Sequence, residues 1–293
     1  MVKYRIGIIG AENSHADCFA REINLPDENG VMRYPDCRVT MVYGHYPEAN
    51  EALARKYQID RIASSVEEMV GEVDAVMITA RDGKYHYEFA RPFVEAGIPA
   101  FVDKPFTVDP AEACALITLA KEKNVPLCGG SSLKFADGIM EFKKFVKETD
   151  AQILGGSLSA PVSSNSEYSG FFFYSSHLVE MTLEIFGYNP RCVTAVKHET
   201  SICATVHYDR FSVSNHFKET SPDYSAVVYT SDGTHLKKVD LDNCGERECA
   251  AFVDMLRTGR MHNTYEELIA PVYYMNAVKN AYETGITVDI PSL

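Results

Sequence analysis

The sequence has no Cys-x-x-Cys pair, no long apolar run and no surplus of positive charge. Each absence removes a class of protein. The cysteines (Cys18, Cys37, Cys114, Cys128, Cys192, Cys203, Cys244 and Cys249) are scattered singly. Several lie inside apolar runs, where a reduced thiol behaves as a small hydrophobe, and this points to a reducing cytoplasm. No apolar run approaches the roughly 18 residues of a membrane span, and the first strand starts by Tyr4 with no signal-peptide core before it, so a soluble intracellular protein is expected. Against 28 Lys and Arg stand 41 Asp and Glu, for a net charge of −13. Basic residues gather only in short pairs such as Lys143-Lys144 and Lys237-Lys238, so neither nucleic acid nor membrane is the expected partner. A small-molecule substrate fits better. His15, His45, His86 and Asp103 all follow apolar runs, but no HxH or HExxH spacing joins them, and no metal is expected.

At 293 residues the chain has room for about two domains of roughly 100–200 residues each. Its first part alternates regularly. Apolar runs at 5–9, 38–42, 75–79, 99–102 and 126–128 are separated by helically spaced stretches at 15–23, 48–57, 65–70, 85–96 and 110–123. Short, continuously apolar strands each followed by a helix are what a parallel sheet covered on both faces requires. Asp109-Pro110 marks one helix start and Gly97 one helix stop. The alternation predicts an α/β fold with a doubly wound Rossmann domain over residues 1–130.

The pattern then changes. A helix at 135–147, a strand at 151–159 and a helix at 176–186 precede closely spaced strands at 193–197, 201–208, 211–217, 226–230 and 234–239. The short Asp209-Arg210 turn makes the second and third of these an antiparallel hairpin. Helices at 248–257 and 265–282 and a strand at 287–290 complete an α+β domain, residues 131–293, with a mostly antiparallel open sheet. The stretch Ser225 to Thr230 is apolar on successive residues, so both faces of the sheet need cover there, and a homodimer or homotetramer is expected to supply it.

Asp103-Lys104-Pro105 closes the apolar run at 98–102. That position puts a lysine amine at the carboxyl edge of a parallel sheet, where open α/β folds bind ligands, and a lysine there can handle a proton at a carbon bearing oxygen. Together with Arg5-Ile-Gly-Ile-Ile-Gly10, Thr79 and His86, the stretch Ala96 to Pro105, and His177-Leu-Val-Glu180 followed by Phe186-Gly187, it resembles the Gfo/Idh/MocA family of glucose-fructose oxidoreductase and inositol dehydrogenase. The resemblance runs over nearly the whole chain. It implies a nicotinamide cofactor, NAD or NADP, on the first domain and a sugar, polyol or related hydroxylated substrate between the domains. Hydride transfer at a secondary alcohol or ketone would follow, with assembly into homo-oligomers.

The resemblance also assigns roles. Lys104 and His177 are the catalytic candidates, with Tyr174 and Glu180 as the nearby ionisable substitutes because Phe173 stands where the family often has an aspartate. Lys134 takes a place often held by arginine and, with His177 and Tyr174, is a substrate-binding candidate. The cofactor candidates are Gly10, Glu12, Asn13, Ser14, His15, Gly44, Thr79, His86, Asp103 and Lys104. Two departures stand out. The loop Gly10-Ala11-Glu12-Asn13-Ser14-His15 keeps only the first glycine of GxGxxG, and Glu12 at the close-approach position would repel a pyrophosphate unless its side chain turns away. After the second strand, Gly44 stands where an acid would bind the ribose hydroxyls, so NAD and NADP are not distinguished. The same erosion fits an alternative reading, a Rossmann-type ligand sensor that has lost its cofactor.

Overall fold

The structure, a computed structural model, describes residues 2–293. The described chain forms two compact units, residues 2–130 with 245–268, and residues 131–244 with 269–293.

The first unit holds a parallel sheet of β1 (Tyr4–Ile9), β2 (Cys37–Tyr43), β3 (Arg61–Ile62), β4 (Ala75–Ile78), β5 (Ala100–Asp103) and β6 (Leu127–Gly130), in the order β3-β2-β1-β4-β5-β6. Strand order reverses between β1 and β4, which is where doubly wound sheets bind their ligands. The crossovers are α1 (Ser14–Asn24), α2 (Pro47–Tyr57), α3 (Val66–Met69), α4 (His86–Glu95) and α5 (Pro110–Lys123). Their starts are chemically marked. Asn13, Ser65 and Asp109 each accept a first-turn N–H through the side chain, and Pro47 and Pro110 sit where a missing N–H costs nothing. The strands β4, β5 and β6 are buried at every residue, as a sheet covered on both faces demands.

In the second unit a seven-stranded sheet runs β12 (Gly233–Lys238), β11 (Ser225–Thr230), β7 (Ile153–Pro161), β10 (Ser212–Lys218), β9 (Ser201–His207), β8 (Cys192–Lys197), β13 (Val288–Asp289). Only the β7–β10 pair is parallel. The expected hairpin is present, with His207 opposite Ser212. Side chains alternate strictly on β9, where Ile202, Ala204 and Val206 are buried and Ser201, Cys203, Thr205 and His207 are half-exposed. The other helices are α6 (Asp137–Glu148), α7 (Phe172–Phe186), α8 (Cys244–Thr258) and α9 (Tyr265–Thr284).

Three expectations need correction. Residues 131–293 do not all belong to one unit, because α8 packs with the first: Cys249, Phe252, Val253 and Met255 join Phe19, Tyr57 and Phe101 in one buried cluster. Helix α7 starts at Phe172, not at 176. From Ser175 to Phe186 every residue is buried, including the polar stripe of Ser176, Glu180 and Glu184. On β11 the two valines are not equivalent, since Val228 is fully buried and Val227, with Tyr229, lies on the opposite face.

Candidate functional site

The candidate residues fall in both units, and each set is described within its own.

In the first unit the β1–α1 loop lies against the end of β4. Gly10 adopts φ +103°, and a Cβ there would sit 2.2 Å from the backbone nitrogen of Ala80, so no other residue fits. Thr79 ties the loop down: its N–H donates to the carbonyl of Ile9 at 2.7 Å and its Oγ1 to that of Gly10 at 3.0 Å. Glu12 turns to the β4 side, where its Oε1 accepts the N–H of Arg81 at 2.9 Å, and its Oε2 is buried without a partner among the described residues. Asn13 caps α1, its Oδ1 accepting the N–H of His15 at 3.2 Å, and the Ser14 hydroxyl lies 3.4 Å from the same oxygen. Gly44 offers backbone only, its carbonyl accepting from Asn50 Nδ2 at 2.9 Å.

Asp103, fully buried at the end of β5, reaches back to this loop. Its Oδ1 lies 2.9 Å from His15 Nδ1 and accepts the N–H of Lys104 at 2.7 Å, while its Oδ2 accepts from Asn13 Nδ2 at 3.0 Å. Burial works against both charges of the His15–Asp103 pair, but mutual attraction and the hydrogen bond outweigh it. His15 is held above the ordinary histidine value and Asp103 below the ordinary aspartate value. The pair therefore stabilises the folded unit across a bounded window. The His15 share is full below the unfolded histidine pKa and is lost as pH rises through its raised folded value; the Asp103 share is full above the unfolded aspartate pKa and is lost as pH falls through its depressed folded value.

Lys104 follows, buried, with a cis peptide to Pro105. His86, also fully buried, straps this turn to the β4 end, with Nδ1 2.7 Å from the carbonyl of Pro105 and Nε2 2.7 Å from that of Ala80. Its position at the start of α4 makes it a brace between the loops after β4 and β5.

In the second unit His177 lies on α7, buried, with its Nδ1 2.7 Å from the hydroxyl of Ser131. The ring stands edge-on to Tyr174 (5.5 Å between centroids) and to Tyr224 (6.3 Å), whose hydroxyl is pushed up to about 12 by burial and by Tyr174. Lys134, a substrate-binding candidate, lies between β6 and α6. It is buried, with Nζ 3.4 Å from Glu180 Oε2, and Glu180 Oε1 accepts the N–H of Ser131 at 2.7 Å. Burial holds Glu180 above the ordinary glutamate value despite Lys134 and Ser131, so Glu180 is a local anchor for Ser131 and Lys134. One turn on, burial also disfavours the Glu184 charge, but Lys134, Lys143 at 2.6 Å and the Tyr188 hydroxyl at 2.6 Å bring its pKa below the ordinary value.

Ser131, Glu184 and Tyr224 were not read from the sequence. The i, i+4 spacing of Glu180 and Glu184 on a helix was the available sign for the second. Ser131 sits just past Gly129-Gly130, and nothing local to it announces a histidine partner on α7.

The family model for the oxidoreductases with an NAD-binding Rossmann fold, Gfo/Idh/MocA, matches residues 4–130. The match lies within the first unit, and this part of the chain resembles that family. Myo-inositol dehydrogenase Hyg17 of Streptomyces leeuwenhoekii is 35% identical to this chain over 98 residues, covering 33% of this chain and 30% of the relative. Inositol 2-dehydrogenase of Rhizobium meliloti is 25% identical over 238 residues, covering 78% and 68%. Alignment with UDP-N-acetylglucosamine 3-dehydrogenase of Acidithiobacillus ferrooxidans, 39% identical over 70 residues and 24% of this chain, spans 22% of that relative. Matches to Hyg17 and to this dehydrogenase thus span under a third of each relative's length. The scyllo-inositol dehydrogenase of Lactobacillus casei, solved with NAD(H) and scyllo-inositol, superposes with a TM-score of 0.86 at 14% identity over 99% of this chain and 100% of its own. That likeness is one of fold. Among the described residues, no helix is long and apolar enough to cross a membrane and no cluster of three or more His, Cys, Asp or Glu could hold a metal.

Proposed function

We propose that this protein belongs to the Gfo/Idh/MocA family and is a cytoplasmic NAD(P)-dependent oxidoreductase acting on a secondary alcohol or ketone of a polyol or sugar, with inositols as the first substrates to test. The observation that carries the reading is Lys104, buried at the carboxyl end of β5 and adjoining the Asp103 that grips the β1–α1 loop. The first unit fits a dinucleotide. Gly10 lets the backbone pass close to β4, the amino end of α1 carries the positive end of the helix dipole, and Glu12 points its Oε1 at Arg81. Gly10, Asn13, Ser14, His15 and Thr79 would hold the cofactor, which supplies the hydride acceptor or donor. Lys104 takes or returns the hydroxyl proton. His177, its ring fixed through Nδ1 by Ser131, is the second proton-handling candidate. Lys134 and Tyr174 support it on the substrate side. Relatives named as inositol dehydrogenases support the polyol class.

Calorimetric titration with NADH and NADPH tests the reading directly, and micromolar or tighter binding to one of them is expected. Reduction of NAD or NADP in the presence of myo- and scyllo-inositol, followed by absorbance, then tests the substrate class. No heat and no thermal shift with either cofactor would move the protein to the sensor class.

Assembly belongs to the same proposal. Val227 pairs with Leu236 and Ser157 on the face opposite Val228, and Leu236 is 71% exposed. A homodimer through this face, or a tetramer built from two, would cover these residues. Val227→Glu is expected to reduce the mass in light scattering to the 32.7 kDa of one chain without loss of fold. A wild-type mass already at that value would remove the proposal. Val228→Glu is no test, because it places a charge in the core.

A further inference from the structure

The β1–α1 loop has lost two glycines of the dinucleotide pattern and gained a histidine, and β5 ends in a buried aspartate that holds that histidine. The two changes meet in one contact, His15 Nδ1 to Asp103 Oδ1 at 2.9 Å. Asp103 cannot swing away, because Asn13 Nδ2 and the Lys104 N–H hold its two oxygens. The His15 ring also rests against Phe19, with 5.8 Å between centroids. Its orientation is therefore fixed from both sides. Its Nε2 has no hydrogen-bond partner among the described residues, and the side chain keeps 18% of its surface exposed.

We propose that His15 is a phosphate ligand of the dinucleotide, its cationic ring replacing contacts that the missing glycines would have allowed, and that Asp103 is its positioning residue. This rests on the reading of the first unit as a dinucleotide site. Asp103 accepts from Nδ1–H, so the protonated ring has Nε2–H left to donate, and an N–H of a cation to a phosphate oxygen is a strong, short hydrogen bond. The site is the amino end of α1, where the helix dipole already favours an anion. Negative charge in that turn is offset, since Asp17 is paired with Lys56 at 2.6 Å. The other charges facing His15 are Asp103, Lys104 and, from α8, Glu248. The two carboxylates favour the cation and the lysine opposes it. A glycine-rich loop binds pyrophosphate through uncharged backbone, so its grip does not depend on a side-chain proton. Here the grip does, and it is strongest at low pH.

The sign follows from linkage. A bound phosphate favours protonated His15 and raises its pKa further, so affinity is constant below the pKa of the free protein. It falls as pH rises from that value to the pKa of the complex, and is constant again above.

Fluorescence titration with NADH at about pH 6 and about pH 9 tests this on the wild type and on His15→Gln, whose amide keeps a hydrogen bond to Asp103. The wild type is expected to bind NADH roughly tenfold or more weakly at the higher pH, the loss of one charge-assisted hydrogen bond. His15→Gln should show no step and should match the wild type at the higher pH. Asp103→Asn should move the step to lower pH. NADH binding with the same pH dependence in the wild type and His15→Gln overturns the proposal while leaving the dinucleotide reading intact. Absence of saturable binding by NADH and NADPH at both pH values overturns both. Should His15→Gln fail to fold, the ring nitrogens of His15 in the wild type decide by NMR: an Nε2 resonance unmoved by saturating NADH sinks the proposal.

Discussion

Lys104→Met is expected to lower turnover by roughly a hundredfold or more, the usual cost of removing a general acid-base group, while NADH affinity changes by less than about threefold, as for loss of a weak contact. The substitution is chosen for what it leaves in place. Methionine matches the length of the lysine stem and tolerates burial, so the side chain, only 6% exposed in the native protein, needs no rearrangement. The backbone N–H that donates to Asp103 Oδ1 is retained. His86 still braces the carbonyl of Pro105. What disappears is an amine able to exchange a proton. Steady-state kinetics on a substrate found by the inositol screen, with cofactor titration on the same samples, gives both numbers. Unchanged turnover would remove Lys104 from the mechanism, and equal loss of turnover and of cofactor affinity would make it a binding residue.

The part of this protein visible in its sequence is the part set by local pattern. Runs such as 75–79 and 99–102 are apolar without a break because both faces of the sheet are covered, and that composition survives without knowledge of any neighbour. β3 was missed for the opposite reason: Arg61 and Ile62 are both exposed, so the strand has no apolar signature. The start of α7 carries no local mark, since Phe171 stands at the cap position and no side chain there accepts a first-turn N–H. Lys104 and His177 were visible through motif and position. Their supports were not, because they come from far along the chain: Asp103 holds a residue 88 positions before it, and Ser131 a residue 46 positions after it. Lys134 was legible as a substrate-binding candidate, but its ion pair was not, since its partner Glu180 comes from another element. Glu12 is the instructive case. Sequence alone says that a carboxylate at that place opposes a phosphate, and only the path of the loop shows its Oε1 engaged by the Arg81 N–H.

The assignment of α8 to the first unit carries the other large effect. Phe252→Ala is expected to destabilise the protein by about 3–5 kcal/mol, the range for truncating a buried aromatic in a packed core. Phe252 is fully buried and meets Phe101 of β5 edge-on, with 6.2 Å between centroids and an interplanar angle of 81°. Phe101 in turn meets Phe19 of α1 at 5.1 Å and 78°. Three rings from three elements thus form one chain of edge-to-face contacts, and removal of one end leaves a ring-sized cavity beside β5 that the sheet cannot collapse to fill. Asp103 is two residues along the same strand, so loosening there also disturbs the His15 contact. Denaturant unfolding gives the size of the loss, and hydrogen exchange gives its place: amides of β1 and β5 should lose protection, while those of β9 and β10 keep theirs. Phe252→Leu, which refills most of the volume, should cost under about 1.5 kcal/mol. Protection lost in β9 and β10 and retained in β5 would return α8 to the second unit, where its place in the sequence alone would put it.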